Sequence, residues 1–163
     1  MPDNVLVVYF SKGGASQTYA EVIAETLREE GLSVNVVNLW KNKKPDVEPY
    51  DCIVVGTGVR IGWVYRKGKM FLKRDDLKRK RLAIFLSSGI AVEDPQKSKD
   101  KFLTPLIEKY GLSPILWDAL PGKIPGEGGK LEDKTDPELA KKWAQKLSRM
   151  LRQPQGCSSP ARE

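Results

Sequence analysis

Five short runs of β-branched and apolar residues recur along this chain, and the stretches between them carry the spacing of helices. Residues 5–10 read Val-Leu-Val-Val-Tyr-Phe without a polar interruption, as a strand covered on both faces does. Residues 52–56 and 81–87 have the same continuous character, while residues 34–40 and 115–120 supply the other two runs. After the first run, Tyr19, Val22, Ile23, Thr26 and Leu27 fall on one face of a helix that Gly31 should stop. Asp94-Pro95 is a cap followed by proline at the first helical position, and the helix it opens should kink or split at Pro105 before ending near Gly111. Thr135-Asp136-Pro137-Glu138 caps a last helix with Leu139, Trp143, Leu147 and Met150 on one face. Strands alternating with helices predict an α/β fold with a parallel sheet and right-handed crossovers.

Residues 41–49 read as a loop, and residues 57–74 open with glycines before turning helical around 67–73. Residues 121–134 form a glycine- and proline-rich connection long enough to shape a site. A length of 163 residues, 40% of them apolar, predicts one domain over residues 1–151. Residues 152–163 are expected to be a disordered polar tail. The longest apolar runs fall far short of the ~20 residues of a membrane span. The first residues carry no basic leader, so the chain is expected to be cytoplasmic.

The chain contains no histidine. Ser-His-Asp and Cys-His catalysis and histidine metal ligation are therefore excluded. Cys52 and Cys157 are far apart and form no CxxC, so a structural zinc, an iron–sulfur cluster or a disulfide framework is not expected. No metal site is predicted, and no catalytic residue can be named. Chemistry in such a chain falls to a bound cofactor.

The net charge is +7, and residues 66–81 hold nine basic residues against Asp75 and Asp76, which equals the whole excess. Such a block reads as a solvated helix face or as a surface for an acidic partner: nucleic acid, an anionic membrane or an acidic protein. Apart from Phe71 it lacks interleaved stacking aromatics, which argues against nucleic acid.

Ser11-Lys12-Gly13-Gly14-Ala15-Ser16 lies between the first strand and the first helix. Two glycines permit a tight turn with inward N–H groups, the helix start adds partial positive charge, and the serines and Lys12 supply donors. That is the chemistry of a phosphate cradle, although the segment is neither GxxxxGK[ST] nor GxGxxG; an ordinary capped turn has the same composition. This segment, continued by Ala20-Glu21-x-Ile23-Ala24, resembles the phosphate loop and first helix of flavodoxins. Gly56-Thr57-Gly58-Val59-Arg60-Ile61-Gly62-Trp63 resembles the G-x-x-x-R-x-G segment of menaquinone-dependent protoporphyrinogen oxidases and of flavodoxin-like quinone reductases. Ser87-Ser88-Gly89 falls where such proteins meet the polar edge of a flavin.

The resemblance implies a flavodoxin-like three-layer sandwich, with a five-stranded parallel sheet of order 2-1-3-4-5 and helices on both faces. It also implies FMN as cofactor, with the phosphate at residues 11–16 and the ring between the second and third loops. Trp63 is the candidate ring wall, and Arg60 the candidate contact to flavin or an acidic substrate. Trp143 should be core, and Trp40 and Trp117 core or rim. The basic block departs from the acidic surface of electron-carrier flavodoxins, which favours an oxidoreductase passing electrons from a reduced substrate to a quinone-like or protein acceptor. A one-electron carrier is the alternative within redox chemistry. A non-flavin module that uses the basic block is the alternative from another class.

Overall fold

The computed structural model describes residues 4–10, 14–42, 44–60, 63–64, 66–125, 128 and 131–152. Strands β1 (Asn4–Tyr9), β2 (Ser33–Asn38) and β3 (Cys52–Arg60) all run parallel, with β1 between the other two. A two-residue strand β4 (Trp63–Val64) folds back antiparallel on the end of β3. Strands β5 (Arg81–Ser88) and β6 (Leu116–Pro121) complete the sheet in the order β2-β1-β3-β5-β6. Counting only the parallel strands, the order is 2-1-3-4-5, as the resemblance implies.

The helices are α1 (Ala15–Glu29), α2 (Arg66–Leu72), α3 (Pro95–Ser98), α4 (Thr104–Tyr110) and α5 (Pro137–Leu151). Alternation along the buried strands sorts side chains into two cores. Val5, Val7 and Tyr9 pack with α1 and α5, while Leu6, Val8 and Phe10 pack with Phe71, Leu77, Phe102, Leu103 and Leu106 on the opposite face. Gly31, at φ 93°, ends α1 in a conformation that a side chain would oppose.

The proline-split helix takes a specific form. Pro105 has no N–H to donate, and the chain passes from α3 through a wide π turn (Lys99–Leu103) into α4. Helix α5 is capped by Asp136, whose carboxylate accepts from the Glu138 N–H at 3.1 Å. Its buried face is Ala140, Trp143, Ala144, Leu147 and Leu151; Leu139, expected on that face, is exposed. The connection after β6 is not a bare loop, because β7 (Lys123–Pro125) and β8 (Leu131–Asp133) pair antiparallel. Of the expected polar tail over residues 152–163, Arg152 is ordered as the C-cap of α5 and donates to the Glu30 carbonyl at 2.7 Å, and residues 153–163 lie outside the described residues.

Candidate functional site

The register of the parallel strands decides what meets at their carboxyl ends. Gly56 lies opposite Tyr9 of β1 on one side and Phe85 of β5 on the other. The Phe10 N–H donates to the Gly56 carbonyl at 3.2 Å and ends that pairing. Beyond it β3 continues alone beside β5, with Thr57 opposite Leu86 and Gly58 opposite Ser87. Gly56 must be glycine here: a Cβ would stand 2.0 Å from the Phe85 ring.

The second predicted loop is therefore shorter than the sequence implies. Thr57, Gly58, Val59 and Arg60 belong to β3, and the chain returns at once so that Arg60 pairs with Trp63 and Val59 with Val64. The sequence signal for this hairpin is the glycine between Arg60 and Trp63. Ile61 and Gly62 lie outside the described residues.

The first loop is described only from Gly14 onward; Ser11, Lys12 and Gly13 lie outside the described residues. Gly14 is the N-cap of α1, so no side chain caps that helix, and its first turn holds no acidic residue. Ala15 and Ser16 are buried. The Ser16 hydroxyl lies 2.9 Å from that of Ser87, joining the first loop to the third. Each hydroxyl carries one hydrogen and the contact uses one of the two, which leaves the pair one donor for a further acceptor.

The third segment is mostly strand. Ser87 and Ser88 end β5, and only Gly89 lies beyond it. The Ser88 hydroxyl accepts from the Ile90 N–H at 3.1 Å and its carbonyl from the Gly122 N–H at 2.9 Å. Gly89 sits against β7 so closely that a Cβ would approach the Lys123 carbonyl to 2.9 Å. The β7–β8 hairpin thus packs on the third loop, a contact that three-residue strands are too short to announce by their periodicity.

Thr57 carries the least expected feature. It is fully buried, and its hydroxyl has no hydrogen-bond partner. A buried unpaired hydroxyl costs about 1–3 kcal/mol; those of Ser98 and Thr135 are likewise unpaired, and Thr57 is the one of the three at the carboxyl end of β3. Its register partner Leu86 belongs to the core on the α2–α4 face, whereas Ser16 and Ser87 meet on the α1 face. Donors accordingly flank the strand ends from both sides of the sheet.

Two buried titratable groups serve the fold, Tyr19 on α1 and Cys52 at the amino end of β3, the far end from the candidate site. Tyr19 donates its phenol hydrogen to the Pro121 carbonyl and accepts from the Asp136 N–H at 3.0 Å, tying α1 to the end of β6 and the cap of α5. Burial pushes its hydroxyl up to about 12. Cys52 is wholly buried, and burial raises its thiol to about 12, which leaves it a small apolar side chain at neutral pH. Trp143 is core and donates to Asp118 at 3.0 Å; Trp40 and Trp117 lie at the rim.

The basic block is not one surface. Arg74 pairs through two nitrogens with Asp76 and donates to the Pro45 carbonyl at 2.8 Å. Arg81 reaches the Leu151 carbonyl at the end of α5, and Lys80 the Glu48 carbonyl. Part of the sequence excess is thus taken up by loop and helix ends.

A doubly wound sheet of parallel strands defines an α/β protein, and in such folds ligands bind at the carboxyl ends of the strands where the winding reverses. The flavodoxin-domain family matches residues 6–150, and the chain belongs to that family. Protoporphyrinogen IX dehydrogenase [quinone] of Escherichia coli (strain K12) is 25% identical over 93 residues, 56% of this chain and 51% of that protein. An NAD(P)H dehydrogenase (quinone) of Rhodopseudomonas palustris (strain HaA2) is 33% identical across 36% of this chain and 39% of its own length. The chain spans about half or less of the length of these curated relatives. Among solved structures, oxidised flavodoxin 1 of Bacillus cereus superposes with a TM-score of 0.63 at 18% identity, covering 93% of this chain and 99% of that one. Rubredoxin oxygen:oxidoreductase of Desulfovibrio gigas gives 0.65 at 18% identity, over 91% of this chain and 36% of that chain.

Family membership implies FMN as the cofactor. The described residues fit it: an α1 start without a side-chain cap, a spare hydroxyl hydrogen at Ser16–Ser87, and the unpartnered Thr57 hydroxyl.

Proposed function

We propose that this protein is an FMN-dependent oxidoreductase that moves electrons from a reduced substrate to a quinone-like acceptor. The observation that carries the reading is the buried, unpartnered Thr57 hydroxyl at the carboxyl end of β3 in a chain of the flavodoxin-domain family. The two curated relatives named above, both described by quinone chemistry, support the acceptor class.

When bound, FMN supplies two-electron chemistry, and the chain's part is to bind, orient and shield it. Ser11, Lys12, Gly13, Gly14, Ala15 and Ser16 are assigned to the phosphate, where N–H groups, hydroxyls and the α1 start oppose its charge. Thr57 is assigned to offer its hydroxyl to the cofactor, and Gly58, Val59, Arg60, Ile61, Gly62 and Trp63 are assigned to the wall of its ring. Ser87, Ser88 and Gly89 close the opposite side. Tyr19 and Cys52 keep their protons at neutral pH, so neither is assigned to proton transfer.

The first experiment is an absorption spectrum of the protein as purified, repeated after saturation with FMN and desalting. Retained flavin bands, shifted from those of free FMN, are expected. A folded, FMN-saturated sample that keeps none would overturn the reading. Anaerobically reduced holoprotein is then mixed with menadione, and fast two-electron reoxidation is expected; transfer only to one-electron acceptors would make the chain a carrier instead. Protoporphyrinogen IX is the first reduced substrate to try, because similarity to the Escherichia coli dehydrogenase covers 56% of this chain.

A further inference from the structure

Three cations and a methionine share the outer face of α2. Arg66, Lys69, Met70 and Lys73 stand at i, i+3, i+4 and i+7, and the Lys73 N–H still bonds the Lys69 carbonyl at 3.2 Å, so the helical spacing holds through Lys73. Arg66 and Lys73 are exposed, Lys69 is half-buried, and Met70 is 55% exposed. Phe71 and Leu72 on the other side of the helix are core residues. Among the described residues, none of the three cations has an ion-pair partner. The neighbouring Arg74 is held by Asp76, and Lys78 and Arg79 lie 3.7 and 3.8 Å from Asp75 and Glu48.

We infer that this face of α2 is a docking surface for anionic lipid headgroups, with Met70 entering the interface between the flanking cations. An exposed flexible apolar side chain ringed by free positive charge suits a surface that is negative outside and apolar within. Nucleic acid fits less well, because the one aromatic of the helix, Phe71, is 4% exposed and cannot stack on a base. The stripe begins two residues after β4, so docking holds the second loop of the candidate site at the membrane surface. The binding itself stands independently of the redox proposal. Its use, meeting a quinone dissolved in lipid, rests on that reading.

The test is co-sedimentation of the full-length, FMN-treated protein with vesicles of phosphatidylcholine alone or mixed with phosphatidylglycerol, flavin content being measured in the same samples. Binding is expected only to the anionic vesicles, weakening as salt rises from about 50 mM to about 500 mM. The R66Q/K69Q/K73Q variant should lose on the order of tenfold or more in vesicle affinity, and M70S a smaller factor, with folding and flavin content unchanged. As control, K141Q/K142Q/K146Q removes the same charge from α5 on the opposite face of the sheet and should bind like the parent. No anionic-vesicle binding, equal loss in the control, or tighter binding to an oligonucleotide than to vesicles would each overturn the inference. Because flavin is read separately, lost vesicle binding with flavin retained refutes this surface alone, and lost flavin with vesicle binding retained refutes the redox proposal alone.

Discussion

The α1/α5 layer consists of two helices of 15 residues each, whereas no described helix in the opposite layer exceeds seven. The first layer is uninterrupted: its core joins Tyr19, Phe85 and Trp143 edge to face, and Glu30 takes hydrogen bonds from Ser148 and Arg152. The second layer is broken into 3-10 segments (Asp75–Arg79 and Ile90–Val92), the π turn and short α helices, with Pro105 where the π turn passes into α4. Its order depends on burying Leu77, Leu103 and Phe102 against the sheet, because segments this short have little helical stability of their own. The Thr57 hydroxyl and the α2 stripe both belong to this segmented side. One layer braces the sheet, and the other carries the Thr57 hydroxyl and the outward cations of α2.

Four changes would break or sharpen that contrast. Trp143→Ala should be the most damaging, by about 3–5 kcal/mol in denaturant unfolding, since it empties the centre of the continuous layer and orphans Asp118. A loss below 1 kcal/mol would mean that this layer is not the brace. Gly56→Ala should cost about 1–3 kcal/mol, because the new methyl meets the Phe85 ring on the α1/α5 side of the sheet. Adding Phe85→Leu should recover part of that loss, and a double variant no better than additive would show that the backbone, not the ring, resists.

Thr57→Val should stabilise the FMN-free protein by about 1 kcal/mol while weakening FMN retention. Two effects of the same sign would remove Thr57 from the site. The smallest effect belongs to the segmented layer's own surface. Hydrogen bonding to Arg74 holds the Asp76 carboxyl below its ordinary range, so the pair stabilises at neutral pH and the contribution is lost as pH falls through that lowered value. Being partly exposed, it is worth about 1 kcal/mol or less, and urea midpoints of the parent and Asp76→Asn should converge in acid.

Much of the fold was legible because its signals are local. The continuous runs at residues 5–10 and 52–56, the face from Tyr19 to Leu27, the Gly31 stop, the Asp94 and Asp136 caps and the break at Pro105 each need only a few neighbouring residues to be read. The extension of β3 to Arg60 and the β7–β8 hairpin were missed, because such short pairings carry no period and exist only where a partner strand is present. Leu139 was misplaced because helical spacing alone cannot say which of two adjoining stripes meets the sheet; the alanines at 140 and 144 allow α5 to approach α1 closely, and so turn that face inward.

The sequence by itself determined the alternation of strands and helices, the absence of histidine chemistry and the order of the three glycine- and serine-bearing segments. Only the tertiary structure decided that Ser16 meets Ser87, that Thr57 is left without a partner, and that Arg74 and Arg81 serve loop and helix ends while Arg66, Lys69 and Lys73 remain outward. The physical reason is range: a strand or a cap is set by residues within a turn of one another, whereas the satisfaction of a buried hydroxyl or a charge depends on groups up to 122 positions away in the chain.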